Sequence, residues 1–194
     1  MSINWLELFL LSARNPKAGM SKLLELNFNN FQLLQIAMLA VCLISIFLFL
    51  VVSTFGAVLP SALEMQPNQD NIFSTLQSIK PISIVITVII SFVARGIALT
   101  YFGRVFNGLG SLRNSILSLA WFDIIHSMGL AIVFIGLWVS PTITILFTLL
   151  GTIWLIWIAV SFISVLHNFK NVAFVFFGMI IGYILLHFSL NLIF

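Results

Sequence analysis

Long apolar tracts separated by short polar connections are the dominant pattern along this chain. Because about 20 apolar residues span the ~30 Å hydrocarbon core of a bilayer, each tract of that length predicts one transmembrane helix. Tracts of sufficient length lie at about 31–55, 81–102, 114–138, 142–165 and 171–193. The sequence therefore predicts an all-α fold, a polytopic integral membrane helical bundle with about five transmembrane helices over residues 31–194.

The connections between these tracts contain residues that end helices. Residues 56–80 hold prolines, asparagines and acidic residues and predict an extramembrane loop. Gly103–Arg113 is rich in glycine and predicts a flexible turn, whereas Val139–Pro141 predicts a tight one. His167–Lys170 predicts the last short turn before the fifth tract.

Residues 1–30 form a separate N-terminal segment. Ser2–Ala13 is apolar but only a dozen residues long, too short for a crossing. Trp5 and the cations that follow this stretch suit the headgroup region of a membrane. We predict a short amphipathic helix at the membrane interface, which Pro16 separates from a second short helix near Met20–Leu26.

Composition excludes a soluble protein and several kinds of site. The chain is 61% hydrophobic and 7% charged, against roughly 45–50% and about 25% in soluble domains. Its net charge of +3 is spread along the chain and forms no basic patch, so no nucleic-acid partner is expected. Cys42 is the only cysteine, which excludes an intrachain disulfide and a cysteine-based zinc site.

The positions of the cations predict the orientation. Lys and Arg accumulate in cytoplasmic loops, so a one-sided distribution identifies the inner face. In the five-span arrangement only Lys80 falls on the outer side. The other seven lie at or toward the opposite side: Arg14, Lys17, Lys22, Arg95, Arg104, Arg113 and Lys170. The N-terminus is therefore predicted to be cytoplasmic and the C-terminus to lie outside.

Two ionisable groups, Arg95 and Asp123, fall inside predicted spans, where such groups are costly and mark functional candidates. Their similar depths from the cytoplasmic side predict a structural ion pair. Snorkelling of Arg95 to the interface and a transport or proton-relay role are the alternatives. His126 follows Asp123 by one helical turn and would join such a polar route.

Cofactor and catalytic chemistry find little support in the sequence. His126 and His187 lie at broadly similar depth and admit a haem or metal site, but packing histidines are favoured and no cofactor or metal is expected. No catalytic triad is recognisable, and Gly108–Ser111 lacks the Lys-Ser/Thr ending of a phosphate loop. Gly178 and Gly182 have the spacing that lets two transmembrane helices approach closely, and they predict helix packing.

The connection between the second and third spans contains Gly103-Arg104 and a turn with Gly108 and Gly110, followed by Ala-Trp121 in the next span. This sequence resembles compact bacterial members of the Yip (Ypt-interacting protein) domain family. The N-terminal Arg14–Ala18 is also similar to the Asp-Pro-Arg-Ala motif of that family. Asn15 and Asn107 stand where the family pattern has an acid and a glycine.

The resemblance implies a five-span domain with a cytosolic N-terminus, here in a bacterial inner membrane, and it implies no enzyme. Eukaryotic relatives associate with small Rab-type GTPases through longer N-terminal regions, whereas this chain has about 30 residues there, which argues against a GTPase partner. We interpret the chain as a non-enzymatic membrane protein that associates through its helices with itself or with other membrane proteins, in membrane organisation or trafficking. The alternative is a small transporter or channel subunit that uses Arg95, Asp123 and His126.

Overall fold

The described part of the chain is built from α-helices joined by short turns. A computed structural model describes residues 4–62 and 80–181, which contain no strand. The helices are α1 (Trp5–Arg14), α2 (Pro16–Glu25), α3 (Asn30–Ala62), α4 (Pro81–Val105), α5 (Leu112–Val139), α6 (Pro141–Leu166) and α7 (Val172–Ile181).

Local sequence explains where the helices begin. Pro81 and Pro141 occupy the first positions of α4 and α6, where a missing N–H costs nothing. The Ser111 hydroxyl caps α5 by accepting a hydrogen bond from the Asn114 N–H at 3.2 Å. Ser140 ends α5 and directly precedes α6 in an extended conformation, which makes the predicted tight turn.

Within residues 4–62 and 80–181, four helices are long and apolar enough to cross a membrane: Asn30–Phe55 within α3, and all of α4, α5 and α6. Within the most apolar window of each, only 17–22% of the residues are buried in the protein. The remaining apolar side chains lie on the outside of the bundle. Contact with lipid tails is favourable for them there, whereas contact with water would not be. The chain is a multi-pass helical membrane protein.

The apolar span within α3, Asn30–Phe55, agrees with the predicted first span at 31–55. The helix itself continues to Ala62 through a tract with no charged residue. One predicted boundary was wrong. The second N-terminal helix begins at Pro16 and not near Met20, since proline suits a first helical position and the Asn15 side chain accepts a hydrogen bond from the Ala18 N–H. The fifth predicted span, 171–193, is described only as far as Ile181.

The core lies where the N-terminal helices meet the bundle. α3 packs along α5, α5 also contacts α4 and α6, and α2 packs on α6. The largest buried cluster draws residues from α1 through α6, among them Leu8, Met20, Leu23, Ala40, Phe92, Trp121, Ile125, Ile158 and Phe162. A smaller cluster, centred on Ile44, Ile84 and Val88, joins α3 to α4.

α1 and α2 form a tight hairpin. Gly19 lies so close to α1 that an added β-carbon would come within 2.5 Å of the Ser12 Cα. On the exposed side Lys22 donates to the Glu7 carboxylate at 2.8 Å, and this cation lowers the pKa of Glu7. The hairpin therefore turns one face to the bundle, while Leu6 on α1 stays exposed. Its location at a membrane surface stays a prediction.

Candidate functional site

The predicted ion pair inside the bundle forms between α4 and α5. Arg95 donates two hydrogen bonds to Asp123, from Nη1 to Oδ1 at 3.0 Å and from Nη2 to Oδ2 at 2.9 Å. This two-pronged geometry matches the planar guanidinium to the planar carboxylate. Asp123 is 0% exposed, so the guanidinium supplies the counter-charge that a buried carboxylate requires.

Arg95 retains hydrogen-bonding capacity after it has paired. A guanidinium has five N–H donors. Two bind Asp123, and the Nε–H points at the Ser91 carbonyl oxygen at 3.4 Å. Two further donors have no acceptor among the described residues, and the side chain is 41% exposed.

Arg95 is one of the residues that line a cavity of about 640 Å³, which we call the α4–α6 cleft. α4 and α6 form its sides, α5 its floor, and α7 borders one end. Most lining side chains are apolar, and His126 is among the few polar ones. Representative lining residues are Phe102, Phe122, Leu155, Ile156, Ala159 and Phe162.

A second cavity, of about 430 Å³, follows the seam between α5 and α6 toward the Ser140 turn, and we call it the α5–α6 groove. Three glycines line it among larger apolar residues: Gly129 and Gly136 on α5 and Gly151 on α6. His126 lines this groove as well as the cleft. The two cavities thus lie one after the other along the same pair of helices.

The glycine-rich turn between α4 and α5 encloses His167, the residue that ends α6. A β-carbon added to Gly103, Gly108 or Gly110 would collide with the His167 side chain. The Gly110 N–H donates to His167 Nδ1 at 3.2 Å, and His167 Nε2 lies 3.1 Å from the Leu99 carbonyl oxygen. The turn expected to be flexible is therefore packed around a ring that is buried, at 1% exposure.

The hydrogen bonds of this ring select its protonation state. Nδ1 must be unprotonated to accept from Gly110, whereas Nε2 must carry the proton that Leu99 accepts. Burial lowers the pKa of His167 below its ordinary value of 6.5, and the bond to Leu99 opposes this shift only in part. His167 is thus neutral in the folded protein at pH 7.

Acidification is expected to destabilise this end of the bundle. Because the folded pKa of His167 is depressed, its stabilising contribution is present above about pH 6.5 and is lost as the pH falls through the folded value. Thermal unfolding in detergent should show a lower midpoint at about pH 5.5 than at about pH 7.5. His167→Gln should reduce this difference between the two midpoints. Because His126 is present in both proteins, its own titration contributes equally to each and does not affect the comparison. An unchanged difference in the variant would contradict the assignment.

Asn107 explains how the turn reverses the chain. Its φ of 59° lies in the left-handed region, which asparagine tolerates better than other non-glycine residues. This is one of the two positions where the sequence departs from the resembled family pattern, which has a glycine there. Arg104, which precedes the turn in the last helical residues of α4, is exposed.

Trp121 connects the bundle to the N-terminal hairpin. Its indole Nε1 donates to the Ser12 hydroxyl at 2.9 Å, and its ring lies 5.9 Å from that of Trp5. Trp154 adds a second link, because its Nε1 donates to the Ala13 carbonyl oxygen at 3.2 Å. The motif resemblance singled out Trp121 but gave no sign of its partner Ser12.

The remaining predicted residues are only partly described. Gly178 lines the α4–α6 cleft, and no described neighbour lies within 4 Å of a β-carbon added there. Gly182 and His187 lie outside the described residues, so helix packing at the paired glycines stays a prediction. His126 lies 6.1 Å from the Phe122 ring, and no group of three metal-ligating side chains occurs in residues 4–62 and 80–181.

No family model, curated protein or solved structure matches this chain. The fold defines a multi-pass membrane protein, and the candidate site consists of the Arg95–Asp123 pair, two cavities along α6 and the enclosed His167.

Proposed function

We propose that this chain is a non-enzymatic, five-span inner-membrane protein of the Yip type, with a cytoplasmic N-terminus, that works by helix–helix association in membrane organisation. The cation distribution supports the orientation. The order and spacing of Gly103, Gly108, Gly110 and Trp121 support the resemblance. The association itself is supported by the α5–α6 groove.

The groove is open where its two helices would ordinarily be packed. A β-carbon added to Gly129 or to Gly151 would meet no described atom within 4 Å. By contrast, one added to Gly136 would come within 3.1 Å of Thr144 Cγ2, so α5 and α6 are in close contact near the Ser140 turn. The two helices therefore separate along the seam and leave room between them.

Such a surface suits another transmembrane helix. Lipid tails are as apolar as leucine, so helices in membranes associate through close packing at small residues and not through the hydrophobic effect. A partner helix could place bulky apolar side chains over Gly129 and Gly151 and replace loosely ordered lipid with a packed contact. The partner is thus a membrane protein with an apolar helix, either a second copy of this chain or another protein.

The transporter alternative has less support in the geometry. A polar route needs ionisable groups that water can reach, but Asp123 is wholly buried and held by Arg95. Most of the side chains that line the α4–α6 cleft are apolar. We therefore assign the pair a structural role, with Arg95 retaining donors for another use.

Filling the groove is expected to abolish association and leave the fold intact. Gly129→Leu combined with Gly151→Leu adds side chains where the structure has space, so the folded yield should stay close to that of the unmodified chain. Crosslinking and pull-down from native membranes should lose the partner band by roughly tenfold, which corresponds to about 1.4 kcal/mol. Ile135→Ala, which changes an exposed side chain of α5 outside the groove, is the matched control.

Two differently tagged copies of the chain distinguish self-association from binding of another protein. Recovery of one tag with the other supports a second copy, whereas a different membrane protein in the same eluate supports a heterologous partner. Association that persists in the double variant, or that is lost equally in Ile135→Ala, would contradict the proposed surface.

A further inference from the structure

The α4–α6 cleft joins an apolar, aromatic wall to a guanidinium that keeps two N–H donors unused among the described residues. We propose that it binds a neutral membrane lipid whose head is a ring bearing carbonyl oxygens, an isoprenoid quinone, with a carbonyl oxygen on Arg95. This inference goes beyond helix association and does not depend on it.

The depth of Arg95 disfavours ordinary lipid head groups. Arg95 is ten residues from Val105, the end of α4, which places its backbone ~15 Å along the helix axis from that end. The ~30 Å hydrocarbon core of a bilayer is flanked by the head-group regions, so phosphates and glycerol esters lie well above this level. A ring that carries carbonyl groups and no charge is soluble at this depth.

The charge of the pair also selects a neutral ligand. Arg95 and Asp123 together carry no net charge, and both oxygens of the carboxylate are already bound. An anionic ligand would compete with Asp123 for the guanidinium and would itself have to be desolvated inside the membrane. A carbonyl oxygen accepts one of the two remaining N–H groups without disturbing the pair.

The shape of the cleft fits a ring with an apolar tail. Its volume of about 640 Å³ lies within the range of about 300–1,000 Å³ typical of small-molecule sites. Phe122, which is only partly buried, offers aromatic surface to a planar ring. Phe102 and Ile156 line the cleft and are also exposed, so its mouth faces the lipid and an isoprenoid tail can extend outward.

Photocrosslinking tests the proposal. The purified chain in phospholipid nanodiscs free of quinone is titrated with an azido-substituted short-chain ubiquinone, irradiated and mapped by peptide mass spectrometry. We expect saturable labelling of peptides from α4, α5 or α6 that line the cleft, and competition by excess decylubiquinone. Palmitate and added phosphatidylglycerol should not compete.

Three variants locate the site. Ala159→Phe fills the cleft, and Arg95→Met with Asp123→Leu removes the donors without leaving a charge unpaired; each should reduce saturable labelling by roughly tenfold. Ile153→Phe, which places the same aromatic side chain at an exposed position of α6 outside the cleft, should leave it unchanged. Size-exclusion profiles establish that each protein is folded, and Ala159→Phe alone tests the site if the double variant is not.

Labelling that does not saturate, that is equal in Ala159→Phe and Ile153→Phe, or that palmitate or phosphatidylglycerol displaces as well as decylubiquinone would overturn the proposal. Groove variants such as Gly129→Leu should retain quinone labelling, so failure of this inference is distinguishable from failure of the proposed association.

Discussion

Replacement of Arg95 by methionine is expected to destabilise the folded protein by about 3–5 kcal/mol, because it leaves the buried carboxylate of Asp123 without a counter-charge. Asp123 is 0% exposed and both its oxygens bind the guanidinium, so no water is available to replace the lost donors. The loss should appear as a lower folded yield and a lower midpoint of unfolding in detergent. Asp123→Asn should also lower the folded yield, because it removes the negative charge that pairs with the Arg95 guanidinium.

The double variant Arg95→Met with Asp123→Leu is the control for this prediction. Because it removes both charges together, it should recover most of the stability that the single change loses. A double variant as unstable as Arg95→Met would show that the side-chain volumes matter and the pairing does not. Normal folding of Asp123→Asn together with lost ion flux in liposomes would instead support the polar-route alternative.

Gly103→Ala is expected to destabilise the protein by about 1–3 kcal/mol, because the new β-carbon enters the space of the His167 ring. Alanine ordinarily stabilises a helix relative to glycine by about 1 kcal/mol, so the steric cost must exceed that gain. Gly96→Ala on the same helix is the matched control, since its β-carbon would meet only Ile116 Cγ1 at an ordinary 3.6 Å. Thermal unfolding of the two variants in the same detergent measures the difference.

Repeating Gly103→Ala in a His167→Ala protein tests whether the destabilisation depends on the His167 ring. His167→Ala empties the space that the glycines surround, so Gly103→Ala should become neutral or stabilising there. The coupling between the two changes then measures the steric contact directly. If Gly103→Ala destabilises both proteins equally, the destabilisation arises elsewhere in α4 and not from contact with the ring.

The sequence predicted those features that depend on one segment at a time. Hydropathy and turn residues locate the long helices, since the bilayer imposes a minimum apolar length on each. The Arg95–Asp123 pair could also be predicted, because two lone ionisable groups at similar depth have few other partners. In a membrane protein the position of a residue along its helix gives its depth, so the partner of a buried charge can be sought among residues of similar depth.

The enclosed His167 and the groove could not be predicted in the same way. The ring meets Gly110 and Leu99 across separations of 57 and 68 residues, so the contact depends on which helix ends are neighbours. Three glycines in eight residues predict a flexible turn, although glycine equally allows a backbone to approach a side chain closely. Likewise, nothing in a single helix reveals that a β-carbon added to Gly129 or Gly151 would meet no described atom within 4 Å.

The tryptophan links to the N-terminal hairpin impose an order on assembly. Trp121 reaches Ser12 across 109 residues of chain, and Trp154 reaches Ala13 across 141. Synthesis proceeds from the N-terminus, so the hairpin is made first and yet must wait for α5 and α6 before the Ser12 hydroxyl and the Ala13 carbonyl oxygen receive the indole N–H groups. Contacts of such long range form late and slowly. Docking of the first 25 residues therefore reports that the later spans are in place, and a chain arrested before α5 would present this hairpin without either tryptophan link.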